Sequence, residues 1–114
     1  METTLGQLHK SFIEELSDFV NKRGYPGQVI STYYINQWLK KEPKSHPVFS
    51  LYRKYVTSRN RRGGGYDLDD YSRVGVHMKY LEGYFTKTTR RRKDKDKIDS
   101  KMITVRRHYI RIKN

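Results

Sequence analysis

Residues 69–83 read DDYSRVGVHMKYLEG, and two backbone conformations compete for them. As a helix, Asp69 and Asp70 stand at the positive N-terminal end of the aligned peptide dipoles. Tyr71, Val74, Met78 and Leu81 then form one apolar row at spacings of three and four, and Gly83 takes the position just past the last turn. As a strand, Val74, Val76, Met78 and Tyr80 alternate with Arg73, Gly75, His77 and Lys79. Length and capping at both ends favour a helix over about residues 70–82, although Gly75 in its interior costs about 1 kcal/mol relative to Ala. On that reading Ser72, Arg73, Val76, His77, Lys79 and Tyr80 lie outward or on the flanks.

Downstream, the pattern changes to that of a β-hairpin. Tyr84–Thr89 is rich in Thr and aromatics, Met102–Ile112 is rich in Ile, Val, Thr and Tyr, and both compositions favour strands. A flexible basic loop over residues 90–101 joins them. Ile103, Val105 and Tyr109 share one parity while Ile110 and Ile112 share the other, which predicts a bulge or change of face near residues 107–109.

Upstream, the chain reads as helices. Leu5, Leu8, Phe12, Leu16 and Phe19 recur at helical spacing, widened by Ile13 and Val20; Thr3 or Thr4 caps the start, and Gly24 with Pro26 ends it. Gln28–Ile30 is a brief apolar strand candidate. Ser31 or Thr32 then caps a helix to about Lys41 that packs Ile35, Trp38 and Leu39, with Trp38 expected at the aromatic centre of the core. A third helix runs from Pro47, which suits a first turn, to Arg59, with Val48, Leu51, Tyr52, Tyr55 and Val56 inward. Asn60-Arg61-Arg62-Gly63-Gly64-Gly65 breaks the chain. It reads as a connector, or as a phosphate cradle built from backbone N–H groups, but no Gly-Lys-Ser/Thr follows to make it a P-loop. The expected fold class is α+β: a helical core with a C-terminal β-hairpin, in one domain of 114 residues.

Charge bounds the function. The sequence has 25 Lys and Arg against 12 Asp and Glu, a formal net charge of +13. Its isoelectric point is near 10.0. Residues 1–45 hold six cations and five acids, leaving +12 for residues 46–114. Clustered cations at this density mark a polyanion binder. There is no Cys, so disulfides and thiolate metal sites are excluded, and His9, His46, His77 and His108 lack neighbours at metal-ligand spacing. No apolar run approaches membrane-spanning length, and METTLGQLHK lacks a signal-peptide pattern, so the expectation is an intracellular protein with no membrane partner. No nucleophile–base pair can be read, and the helix dipole accounts for Asp67, Asp69 and Asp70, so neither enzymatic activity nor a cofactor is expected.

The segment from Asp70 to Phe85, DYSRVGVHMKYLEGYF, resembles the recognition helix and following strand of winged helix-turn-helix proteins, with Val74, Leu81, Glu82, Gly83 and Tyr84 in the corresponding places. The resemblance covers about residues 68–112 and departs in the long Gly-rich segment ahead of the helix, where the family has a tight turn. It implies a winged-helix-like fold and double-stranded DNA as partner, in a small transcriptional regulator or architectural factor. Phe12–Pro26 and Leu51–Gly65 are similar to pieces of AT-rich interaction domains, which are also DNA binders. In physical terms, a basic helix face fits a major groove about 12 Å wide, where Arg73 pairs with guanine and the basic loop follows phosphates as a wing. The expected contacts are Arg61 and Arg62; Arg73, His77 and Lys79; Lys87; and Arg90, Arg91, Arg92, Lys93, Lys95, Lys97 and Lys101. Two alternatives stay open: an RNA-binding or ribosome-associated protein, and an adaptor of viral or mobile-element type whose basic face binds an acidic protein. The first helix is also a candidate homodimer surface.

Overall fold

The computed structural model describes residues 4–59, 70–94 and 96–114, with only the backbone for residues 70–72. Arg61, Arg62 and the glycines after them, Lys95, and the side chains of Tyr71 and Ser72 lie outside the described residues. Among the described residues the fold is α+β, with four α-helices, a 3-10 helix and a three-stranded antiparallel sheet.

Helix α1 spans Leu5–Arg23. Thr4 is its cap: its hydroxyl accepts the Gln7 N–H at 3.2 Å and the Gln7 amide oxygen accepts the Thr4 N–H at 3.0 Å, so two otherwise orphaned donors are satisfied. Phe12, Leu16, Phe19 and Val20 bury the expected stripe within the chain, leaving Leu5 exposed. Strand β1 is Val29–Ser31. The Ser31 hydroxyl then caps α2, Thr32–Lys41, by accepting the Tyr33 N–H. Helix α3 is Pro47–Arg59, as the sequence predicts, and it also buries Phe49. Trp38 is a correction: it is half-buried at the edge of the core, whose centre is Phe12, Leu16, Ile35 and Leu39.

The disputed stretch is helical but not uniformly so. Helix α4 covers Asp70–Gly75, and Val76–Tyr80 continues as a 3-10 helix. The expected helix over residues 70–82 is therefore shorter and changes hydrogen-bond register at Gly75. A Cβ at Gly75 would run into the end of the Asn36 side chain of α2, which would have to move aside. Val74, Met78 and Leu81 are buried, as the helical row predicts. Gly83 turns the chain into the sheet with φ +90°, and its carbonyl accepts the Arg111 N–H at 2.9 Å. L-residues with a Cβ avoid this conformation.

The sheet order is β1-β3-β2, with β2 at Tyr84–Arg92 and β3 at Met102–Arg111. Arg90, Arg91 and Arg92 thus belong to a strand, and the loop shrinks to residues 93–101. The register is unbroken from Tyr84 opposite Ile110 to Arg92 opposite Met102, so the predicted bulge is absent. The parity switch has another cause. Ile110 and Ile112 face the core at the base of the hairpin, whereas β2 is exposed from Thr86 onward because the ribbon has left the body behind. Nine paired residues make a ribbon about 30 Å long, in a molecule measuring 63 × 37 × 25 Å.

Replacing Gly83 with Ala puts a Cβ against the Arg111 carbonyl in a left-handed conformation. The expected loss of stability is about 1–3 kcal/mol, read as a lower urea midpoint with an unchanged slope.

Candidate nucleic-acid interface

An antiparallel ladder places directly opposite residues on the same face, and the register therefore sorts the hairpin cations into two sets. Lys87, Arg91, Arg107 and Arg111 share one face; Arg90, Arg92 and Arg106 share the other. Seven cations stand on two strands that contain no Asp or Glu. Lys87 is directly opposite Arg107, and like charges so placed repel. The Lys87 ammonium leans over the Tyr109 ring at 5.5 Å, and Tyr109 stacks on Phe85 at 5.5 Å between centroids. The Arg111 guanidinium lies 5.7 Å from the Phe85 ring. Among the described residues, aromatic faces and not carboxylates lie beside Lys87 and Arg111 at the ribbon base.

At the tip, Lys93, Lys97 and Lys101 are exposed. The loop is closed by the Lys93 N–H donating to the Lys101 carbonyl at 2.9 Å. The Asp94 carboxylate accepts the Asp96 N–H, and the Asp94 carbonyl accepts the Ser100 hydroxyl. Asp94 therefore shapes the turn, as Asp commonly does. Counting residues 84–114, twelve Lys and Arg against three Asp give a net charge of +9.

The helical part of the expected site is only partly brought to the surface. Arg73 and Lys79 are exposed, the latter 5.2 Å from the Tyr80 ring. His77 is a correction. It turns inward, half-buried among rings: 5.3 Å from Phe12, 5.8 Å from Tyr52, 5.9 Å from Tyr55 and 5.9 Å from His9. Burial, then the nearby His9, Arg59 and Lys79, lowers its pKa from 6.5 to about 4. The change to 3-10 winding explains the rotation, since tighter turns shift every later side chain relative to an α-helix. A neutral, inward histidine cannot grip a phosphate.

Sequence reasoning missed four contributors. Arg106, Arg107 and Arg111 were visible as cations in a predicted strand, but only the register shows which of them join Lys87. The fourth is a cleft of about 570 Å³ beside the ribbon base, lined in part by Tyr33, Tyr34, Trp38, Tyr109 and Arg107. Its residues come from two stretches far apart in sequence, 28–38 and 107–109, and no local motif announces it. Among the described residues no cluster of His, Asp or Glu is arranged to hold a metal ion, and no helix is long and apolar enough to cross a membrane.

His77 also sets a pH dependence. Below its ordinary pKa the unfolded chain takes up a proton that the folded chain refuses, so this contribution to stability is intact above pH 6.5 and falls progressively toward pH 4. Urea midpoints compared at pH 7 and near pH 4.5 should show the loss, and His77→Phe should reduce the difference between them. The chain matches no protein-family model, no curated protein and no solved structure.

Proposed function

We propose that this protein binds double-stranded DNA without enzymatic activity, using the β2–β3 ribbon as its principal grip. The observation that carries the reading is the two-sided cationic ribbon. Seven cations without a carboxylate are divided between both faces of an exposed two-stranded element. A B-DNA major groove admits a two-stranded ribbon, and its walls are two phosphate strands. Cations on both faces suit that surrounding, whereas a flat acidic protein or membrane would engage one face only. A-form RNA has a major groove too narrow for such entry, which favours DNA over structured RNA.

The winged-helix reading is compatible with this arrangement. The chain order helix, strand, helix, helix is followed by a helical segment, a Gly turn and a hairpin whose second strand lies between β1 and β2. The ribbon and its loop then stand in the place of the wing. Arg73 and Lys79 remain available for contacts from the short helix, but an α-helical stretch of six residues is a weaker reader than the full helix the sequence predicts. Regulation of transcription or an architectural role follows from this reading as the use to which such binding is put.

Affinity for duplex DNA should fall steeply with salt. If about five phosphates are neutralised, log K against log salt has a slope of about −4 to −5. Changing Arg90, Arg91 and Arg92 together to Ala should weaken every duplex alike and flatten the slope by about 2 to 3. These side chains are exposed, so folding is preserved. An affinity indifferent to salt, or structured RNA outcompeting the duplex, would overturn the reading.

A further inference from the structure

The cleft beside the ribbon base is lined by aromatic side chains together with Arg107. Tyr33 and Tyr34 begin α2 and are 63% and 59% exposed, and their rings meet edge to face at 5.5 Å. Neither belongs to the core, and α2 is anchored without them through Ile35 and Leu39. Trp38 lies one turn further along, half-buried, and lines the same cleft. Tyr109 and Arg107 reach it from β3, and Lys87 stands opposite Arg107 on the same face of the ladder. The lining contains no acidic residue.

We infer that this cleft binds unpaired nucleotides, with bases stacked on Tyr33, Tyr34 and Trp38 and phosphates held by Arg107 and Lys87. Three ring systems beside two adjacent cations match the alternation of flat base and charged phosphate along a single strand. An acidic peptide would satisfy the cations and leave the rings exposed, while an apolar partner would bury Arg107 unpaired. Bases inside a duplex present only their edges, so the cleft selects nucleotides that have left the stack, at an overhang, a junction or a flipped position. The inference rests on the proposed function for the class of polymer but not for the groove. A ribbon in a major groove and a stacking cleft at its base together recognise a duplex continued by a single strand.

Fluorescence anisotropy with three probes tests it: a blunt duplex, the same duplex with an oligothymidine overhang, and the oligothymidine alone. The overhang should raise affinity over the blunt duplex between about 5-fold and about 100-fold. The paired variant Tyr33→Ala with Tyr34→Ala should abolish that gain while leaving blunt-duplex affinity unchanged, and the corresponding Phe pair should retain it. Both residues are exposed, and an unchanged circular dichroism spectrum confirms the fold. Equal affinity with and without the overhang, or a gain that survives the Ala pair, would overturn the inference. Binding of the oligothymidine that depends on the tyrosines, without binding of the blunt duplex, would sustain it and sink the major-groove reading instead.

Discussion

Strand β3 lies between β1 and β2, and at Ile110 it is paired on both sides, with Ile30 on one edge and Tyr84 on the other. Because side chains alternate along a strand, burying Ile110 and Ile112 in the core fixes the face of every other residue in the hairpin. A slip of one residue would turn both isoleucines to solvent and exchange the two cationic sets. The joint is reinforced where the strand leaves the body: the Ile112 N–H donates to the Gln28 carbonyl at 2.8 Å, and the Lys113 N–H donates to the Asn21 side chain at 2.9 Å. A few apolar side chains at the base therefore orient an element whose first strand is exposed from Thr86 onward.

That anchoring explains how a ribbon so rich in like charge persists. Lys87 and Arg107 are the one directly opposed pair of cations in the ladder, and their repulsion weakens it by a fraction of a kcal/mol. Stacking of Phe85 on Tyr109 and the continuous backbone ladder offset it. The outcome is a ribbon whose charged side chains are all of one sign.

The short helix before the hairpin shows the opposite balance. His77, with the right residue type and the expected spacing for a groove contact, packs instead into the aromatic cluster of α1 and α3, against Phe12, Tyr52 and Tyr55. The change of winding at Gly75 made that rotation available. Periodicity assumes one helix geometry throughout, and a switch from α to 3-10 turns breaks the assumption within a single turn.

How much was legible depends on how local each signal is. Helices α1, α2 and α3 follow from apolar spacing and from the caps at Thr4 and Ser31, all within a few residues of one another. The hairpin followed from strand-forming composition, and Gly83 from its place between helix and strand, while the net charge of +13 needs no structure at all. Other features depended on partners far away in sequence. Arg90–Arg92 moved from loop to strand because Met102–Thr104 lies opposite to pair with them. Trp38 left the centre of the core because Phe12 and Leu16 filled it. The cleft exists only because β1 sets the start of α2 beside β3. Sequence by itself determined which segments are helical and that the chain carries a net charge of +13, since both depend on neighbouring residues or on summed charge. Only the tertiary structure decided which cations share a face and which rings stand beside them, because strand register is set by burial of residues at the far end of the ladder.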